Sequence, residues 1–167
     1  MYRISIITIL MMVVCAGFMQ VTAFNYIEIA GIKPDILLLI VVFVSLSCQK
    51  PETIKAAIAA GIIKDVTSSS VFGSCALSFL VLGLLLSYYQ RRFYKERILT
   101  QILFGFCSYI FVAVFAFGFN LIAHKGLSLF HAYLNIAFKG AFYTGTVSPL
   151  IFFISSKVLR IRLAHEA

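Results

Sequence analysis

Apolar residues run along the chain in six long stretches, roughly 4–24, 34–49, 53–70, 71–90, 98–120 and 133–156. Short polar or charged breaks separate them. A membrane span needs about 20 mostly apolar residues, so the pattern predicts six transmembrane helices. The second stretch has the clearest opening: Lys33, Pro34 and Asp35 lead directly into Ile36-Leu37-Leu38-Leu39-Ile40-Val41-Val42-Phe43. Proline suits a first helical position, where its missing N–H is not needed. An acid in the first turn faces the favourable end of the helix dipole. The third stretch is the weakest: it is short, begins Thr53-Ile54-Lys55 and carries Lys64 and Asp65. Taken alone it also reads as a re-entrant or interfacial helix.

Composition points the same way. Of 167 residues only 12% are charged, against about 25% in a soluble domain, and the mean hydropathy is +1.02. So little polar surface cannot cover a water-soluble globule of this size. No linker, repeat or low-complexity tract divides the chain, and a single transmembrane domain over 1–167 is expected. The formal charge of +8 is not a nucleic-acid signature, because the basic residues gather at the ends of the apolar stretches. Cys15, Cys48, Cys75 and Cys107 each fall in or beside a different stretch, without a C-x-x-C pair. They read as small buried apolar residues rather than as disulfide or zinc ligands.

Charge sets an orientation. With six spans and a cytoplasmic N-terminus, the inner side collects ten of the fourteen basic residues: Arg3, Lys50, Lys55, Arg91, Arg92, Lys95, Arg97, Lys157, Arg160 and Arg162. Lys33, Lys64, Lys125 and Lys139 remain on or toward the outside. This obeys the positive-inside rule at every loop and puts both termini in the cytoplasm. Residues 1–23 also read as a leader ending Val21-Thr22-Ala23, but their apolar run exceeds the usual ~7–15 residues, so a retained span is the expectation. With no Trp, the tyrosines supply the interfacial belt, except Tyr109 and Tyr143, which are expected inside the bundle.

Several positions call for a specific role. Ala57 and Gly61 fit small-xxx-small spacing, and Ala137, Ala141 and Gly145 form a second stripe; both faces are expected in helix contacts. The Phe-rich fifth stretch is expected to face lipid. An acid at membrane depth is costly and marks a functional candidate. Asp65 is the first such candidate, with Lys139 and then Lys33 as its expected partner if it is buried. Asp35 is expected as a helix-start charge in water or beside Lys33. The loop Arg91-Arg92-Phe93-Tyr94-Lys95-Glu96-Arg97 is the strongest basic cluster, suited to anionic headgroups or a cytoplasmic partner. Asn120 to Leu134 reads as an outer loop rich in apolar residues. It contains His124 and His131, for which no third metal ligand is evident. No nucleophile–base pair, paired carboxylates or phosphate loop is present, so neither catalysis nor a cofactor is expected.

The order of these features resembles a known family. Pro34-Asp35 opens an apolar span, and the polar turn Gln49-Lys50-Pro51-Glu52 follows. A small-residue helix ends Ala60-Gly61-Ile62-Ile63-Lys64-Asp65, then come Ser68-Ser69-Ser70-Val71-Phe72-Gly73 and a span running into Arg91-Arg92-Phe93. This is similar to the bacterial rod shape-determining MreD family. The specific part covers about residues 31–97; the rest agrees as hydrophobic spans. The resemblance implies a non-enzymatic inner-membrane component of the cell-elongation machinery. Its implied partners are an MreC-like scaffold, MreB-like filaments, a RodA-like glycosyltransferase and a class B penicillin-binding transpeptidase. It also implies a fold like the substrate-binding subunits of energy-coupling-factor transporters. A small-solute or vitamin-binding transporter subunit is therefore the alternative. That reading requires a polar, ligand-sized cavity on the outer side, for which the sequence offers few side chains.

Overall fold

The computed structural model describes residues 6–22, 33–68, 72–89, 98–124 and 130–165. They form six helices: α1 (Ile6–Thr22), α2 (Ile36–Ser47), α3 (Lys50–Thr67), α4 (Ser74–Tyr89), α5 (Ile98–His124) and α6 (Phe130–His165). Each predicted apolar stretch carries one helix. Residues 98–119 and 134–158 are long and apolar enough to cross a membrane on length and composition, while α1, α2 and α4 hold shorter apolar runs.

The centre of the bundle is α2, which packs against all five other helices. Every residue from Ile36 to Leu46 is buried. Its one interior hydroxyl, Ser45, donates to the Val41 carbonyl at 2.6 Å, so no polar atom there lacks a partner. Buried along this length, α2 positions the other elements of the bundle. The outside of the bundle is apolar instead. Phe18, Phe72, Leu99, Phe142 and Phe153 are each two-thirds or more exposed, a surface suited to hydrocarbon rather than water.

Small residues set the closest contacts. Gly61 on α3 lies against the backbone of Ala76 on α4, and Gly105 on α5 lies against Gly145 and Ser148 on α6. Ala57, Ala60 and Ala141 are wholly buried. Tyr109 rests on Gly140, so this tyrosine packs against α6. A methyl group at Gly61 would fall on the Cα of Ala76, and the two helices would have to separate. Gly61→Ala is therefore expected to destabilise the protein by about 2–3 kcal/mol, as overpacking does. Gly118→Ala, which meets open space, is expected to be neutral or slightly stabilising. Thermal melting of the full chain in mild detergent distinguishes the two.

Two features fix how α6 runs beside α2. The Asp35 N–H donates to Thr144 Oγ1 at 3.2 Å, and the rings of Phe43 and Phe152 meet edge-to-face at 5.5 Å. Each pair lies the same distance along its own helix, so α2 and α6 are parallel and in register. Pro149 lies inside α6 and cannot donate to the Gly145 carbonyl. The Ser148 hydroxyl does so instead, at 2.7 Å, and the helix continues through the proline.

Three expectations are corrected. The stretch read as a loop from Asn120 to Leu134 is helical at both ends, because α5 runs to His124 and α6 begins at Phe130; positions 125–129 lie outside the described residues. Pro34 is not the first helical residue. Asp35 is the N-cap and Pro34 precedes it, fully buried. Of the cysteines only Cys48 and Cys75 are buried, while Cys15 and Cys107 are exposed; none forms a disulfide. The basic cluster Arg91, Arg92, Lys95 and Arg97 lies outside the described residues.

Candidate functional site

Four helix ends meet at one end of the bundle: the C-terminal ends of α1 and α3 and the N-terminal starts of α2 and α4. A helix start exposes N–H groups that have no partner within the helix, and in an apolar surrounding each must find an acceptor. The start of α2 draws acceptors from three directions. The Asp35 N–H goes to Thr144 of α6. The Leu37 N–H goes to Gln20 Oε1 of α1 at 3.3 Å. The Leu38 N–H goes to the side chain of Asp35 itself at 3.2 Å, an ordinary aspartate N-cap.

Asp35 is only 4% exposed, so its charge requires compensation. Lys64 of α3 supplies it, with Nζ 2.7 Å from Asp35 Oδ2. Gln20 Nε2 donates more weakly to Oδ1, at 3.5 Å. The positive end of the α2 dipole adds to both. The expectation of a solvated Asp35, or one paired with Lys33, is thus replaced by a buried ion pair with a lysine 29 residues downstream.

Asp65 performs the same task for α4. It is 4% exposed, and its two oxygens accept three backbone N–H groups: Gly73 and Ala76 on Oδ2 at 3.0 and 3.2 Å, and Cys75 on Oδ1 at 3.0 Å. The carboxylate therefore sits at the positive end of α4, which outweighs its unfavourable place near the C-terminus of its own helix. It pairs with neither Lys139, which is exposed on α6, nor Lys33. Gly73 has φ +93°, a conformation natural to glycine, and this turns its N–H onto Asp65. Lys64 and Asp65 are sequence neighbours about 100° apart around α3, which lets one secure α2 and the other α4.

The opposite end holds a second polar group. Ser87 of α4 donates to Thr53 Oγ1 of α3 at 3.1 Å, and Thr53 and Ser45 pack over Gly83. Nearby on α3, Glu52 Oε2 is buried without a hydrogen-bond partner among the described residues.

Sequence reasoning singled out Pro34, Asp35, Gly61, Asp65, Gly73 and Lys139. The structure brings all but Lys139 to the α2–α3–α4 end or the α3–α4 contact beneath it. It missed Gln20, Lys64 as the partner of Asp35, and Thr144. A polar residue late in the first apolar run and a hydroxyl inside the sixth were the available signals. Chemically, both carboxylates are committed to holding helix starts. A carboxylate whose lone pairs already accept backbone donors and an ammonium is a structural anchor, not a poised acid or base. No group of three metal-ligating side chains occurs among the described residues.

Comparison with curated proteins and with solved structures gave no match. The family model described as rod shape-determining protein MreD matches residues 2–158. With nearly the whole chain covered, this protein belongs to the MreD family of membrane proteins that determine rod shape.

Proposed function

We propose that the protein is a six-span component of the bacterial inner membrane, with both termini cytoplasmic, that acts by binding. It would hold an MreC-like scaffold, MreB-like filaments and the wall-synthesising RodA-like and transpeptidase enzymes in one assembly. The observation that carries this reading is the commitment of Asp35, Lys64 and Asp65 to joining helices. Charges at membrane depth are costly, and these three fix the shape of a rigid block. The faces left for a partner are on α3 and α6, including exposed Ile62, Val66, Lys139 and Phe142. The basic segment 91–97 suits the cytoplasmic filament and anionic lipid.

The transporter alternative receives less support. A recess of about 140 Å³ between α5 and α6 is lined by Ile110, Val114, Leu134, Phe138 and other apolar side chains. Ligand sites of ≈300–1,000 Å³ with a few placed polar groups are usual for vitamin-sized molecules.

Depletion of the protein is expected to convert rods to spheres. Tagged full-length protein extracted in mild detergent should carry an MreC-like scaffold with it. Rods that persist through depletion would end the shape reading. Recovery of an ATPase pair with a coupling protein, and no scaffold, would favour transport.

A further inference from the structure

The recess between α5 and α6 follows from the register of the bundle. Asp35, at the start of α2, lies level with Thr144 of α6. Leu134 and Phe138, which line the recess, stand six to ten residues nearer the N-terminal end of α6. That is about 9–15 Å beyond the start of α2 at 1.5 Å per residue, so α2 cannot fill the space. Ile110, Val114 and Phe117 of α5 line the other wall, and the lining is apolar throughout. All these residues belong to the two stretches long and apolar enough to cross a membrane. Val114 and Phe138 are more than half exposed, so the recess opens to the surrounding medium. Its volume of about 140 Å³ is close to the ~150 Å³ of an apolar cavity that admits a benzene-sized molecule, enough for a short length of acyl chain.

A polar pair flanks the recess. Asn135 and Lys139 are exposed and lie one turn apart on one face of α6. At 100° per residue they come next to Phe138 around the helix, on the side away from buried Ala137. Lys139 makes no hydrogen bond or ion pair among the described residues. It stands five residues inside the apolar stretch that begins at Leu134, about 7.5 Å. Helical side chains lean toward the N-terminal end, so the lysine stem carries its ammonium past Asn135 toward the end of that stretch. His131 and Tyr133 lie just beyond, and tyrosine suits the level of the headgroups. An uncompensated cation and a carboxamide beside an apolar recess complement an anionic amphiphile. The cationic amine of a zwitterionic headgroup is repelled by the same ammonium.

We propose that this is a lipid site: the recess holds an acyl chain of a phospholipid with a net negative headgroup, and Lys139 and Asn135 bind its phosphate. The inference goes beyond the binding reading above and does not depend on it. A partner on the α6 face would meet the lipid as well as the helix.

The test is native mass spectrometry of the full chain, extracted in mild detergent, washed free of loosely held lipid and titrated with equal amounts of phosphatidylglycerol and phosphatidylethanolamine. The expected result is one phosphatidylglycerol bound per chain, in preference to phosphatidylethanolamine. Lys139→Met should abolish the preference and weaken phosphatidylglycerol binding about tenfold, the scale of one lost charge-assisted hydrogen bond. Lys139→Arg should retain both. Val114→Trp, which fills the recess from an exposed position, should weaken binding of both lipids and leave the headgroup preference. Val114→Phe is the smaller filling change should the tryptophan variant melt early. No lipid on the wild type, no headgroup preference, or undiminished binding in Lys139→Met or in the filled recess overturns the proposal. So does loss of a co-purifying membrane protein from Lys139→Met with lipid binding unchanged, which assigns the lysine to a protein partner. Rounding on depletion is independent of all these results, so failure here leaves the binding reading standing.

Discussion

Asp65→Ala is expected to be the most damaging conservative-sized substitution in the protein. It leaves the N–H groups of Gly73, Cys75 and Ala76 without their acceptor. A buried donor left unsatisfied costs about 1–3 kcal/mol. Allowing for partial relaxation of the α4 start, a loss of about 3–5 kcal/mol follows. In a chain of this size that corresponds to a fall on the order of 10 °C in the melting midpoint. Asp65→Asn keeps one acceptor oxygen but loses the charge at the α4 dipole, so its melting point should lie between those of Asp65→Ala and the wild type. Fluorescence-detected melting of the three proteins in detergent checks the order. If Asp65→Ala melts with the wild type, the anchoring role assigned to the carboxylate is wrong.

The second large effect concerns the ion pair. Lys64→Met removes the ammonium and leaves the Asp35 carboxylate buried without its counter-charge. Breaking a buried pair in this way costs about 3–5 kcal/mol. Combining it with Asp35→Asn should recover most of that loss. Asparagine caps helix starts about as well as aspartate, its amide needs no cation, and the methionine fills the space of the lysine stem. Melting of both single variants and the double variant forms a cycle that isolates the coupling. A double variant that loses the sum of the two single losses would show that the charges act independently.

Much of the helix content was legible because hydropathy and helix-ending chemistry agree along this chain. Pro34-Asp35 announced the start of α2 even though the cap lies two residues later than a proline at the first helical position implies. The small-residue stripes through Ala57 and Gly61, and through Ala141 and Gly145, announced close contacts, because little besides packing explains glycine and alanine repeated on one helical face. The pairing of charges was not legible. Lys139 and Lys64 are both isolated lysines in apolar surroundings, and what separates them is which way each helix is turned. That rotation is set by Gly61 against Ala76 and by Thr144 under Asp35, contacts between residues 15 and 109 positions apart. Nor could hydropathy reveal that α2 is enclosed on all sides while α5, also strongly apolar, is only partly buried along most of its length. Leucine and phenylalanine serve equally well against lipid and against another helix.

The register between α2 and α6 has a consequence for the surrounding bilayer. Helices α1 and α4, which the proposed six-span reading sets against lipid, have 17 and 16 residues, or roughly 25 Å of rise. The apolar stretch of α6 has 25 residues, or roughly 37 Å. In the proposed orientation the hydrophobic girdle is therefore uneven around its circumference, low beside α1 and α4 and tall beside α5 and α6. A hydrocarbon layer of about 30 Å must thin on one flank and thicken, or the tall hairpin must tilt, on the other. Each ångström of such mismatch costs a fraction of a kcal/mol. The protein would lower that cost by settling where neighbours have complementary heights, so its shape alone would bias which membrane proteins collect beside each flank.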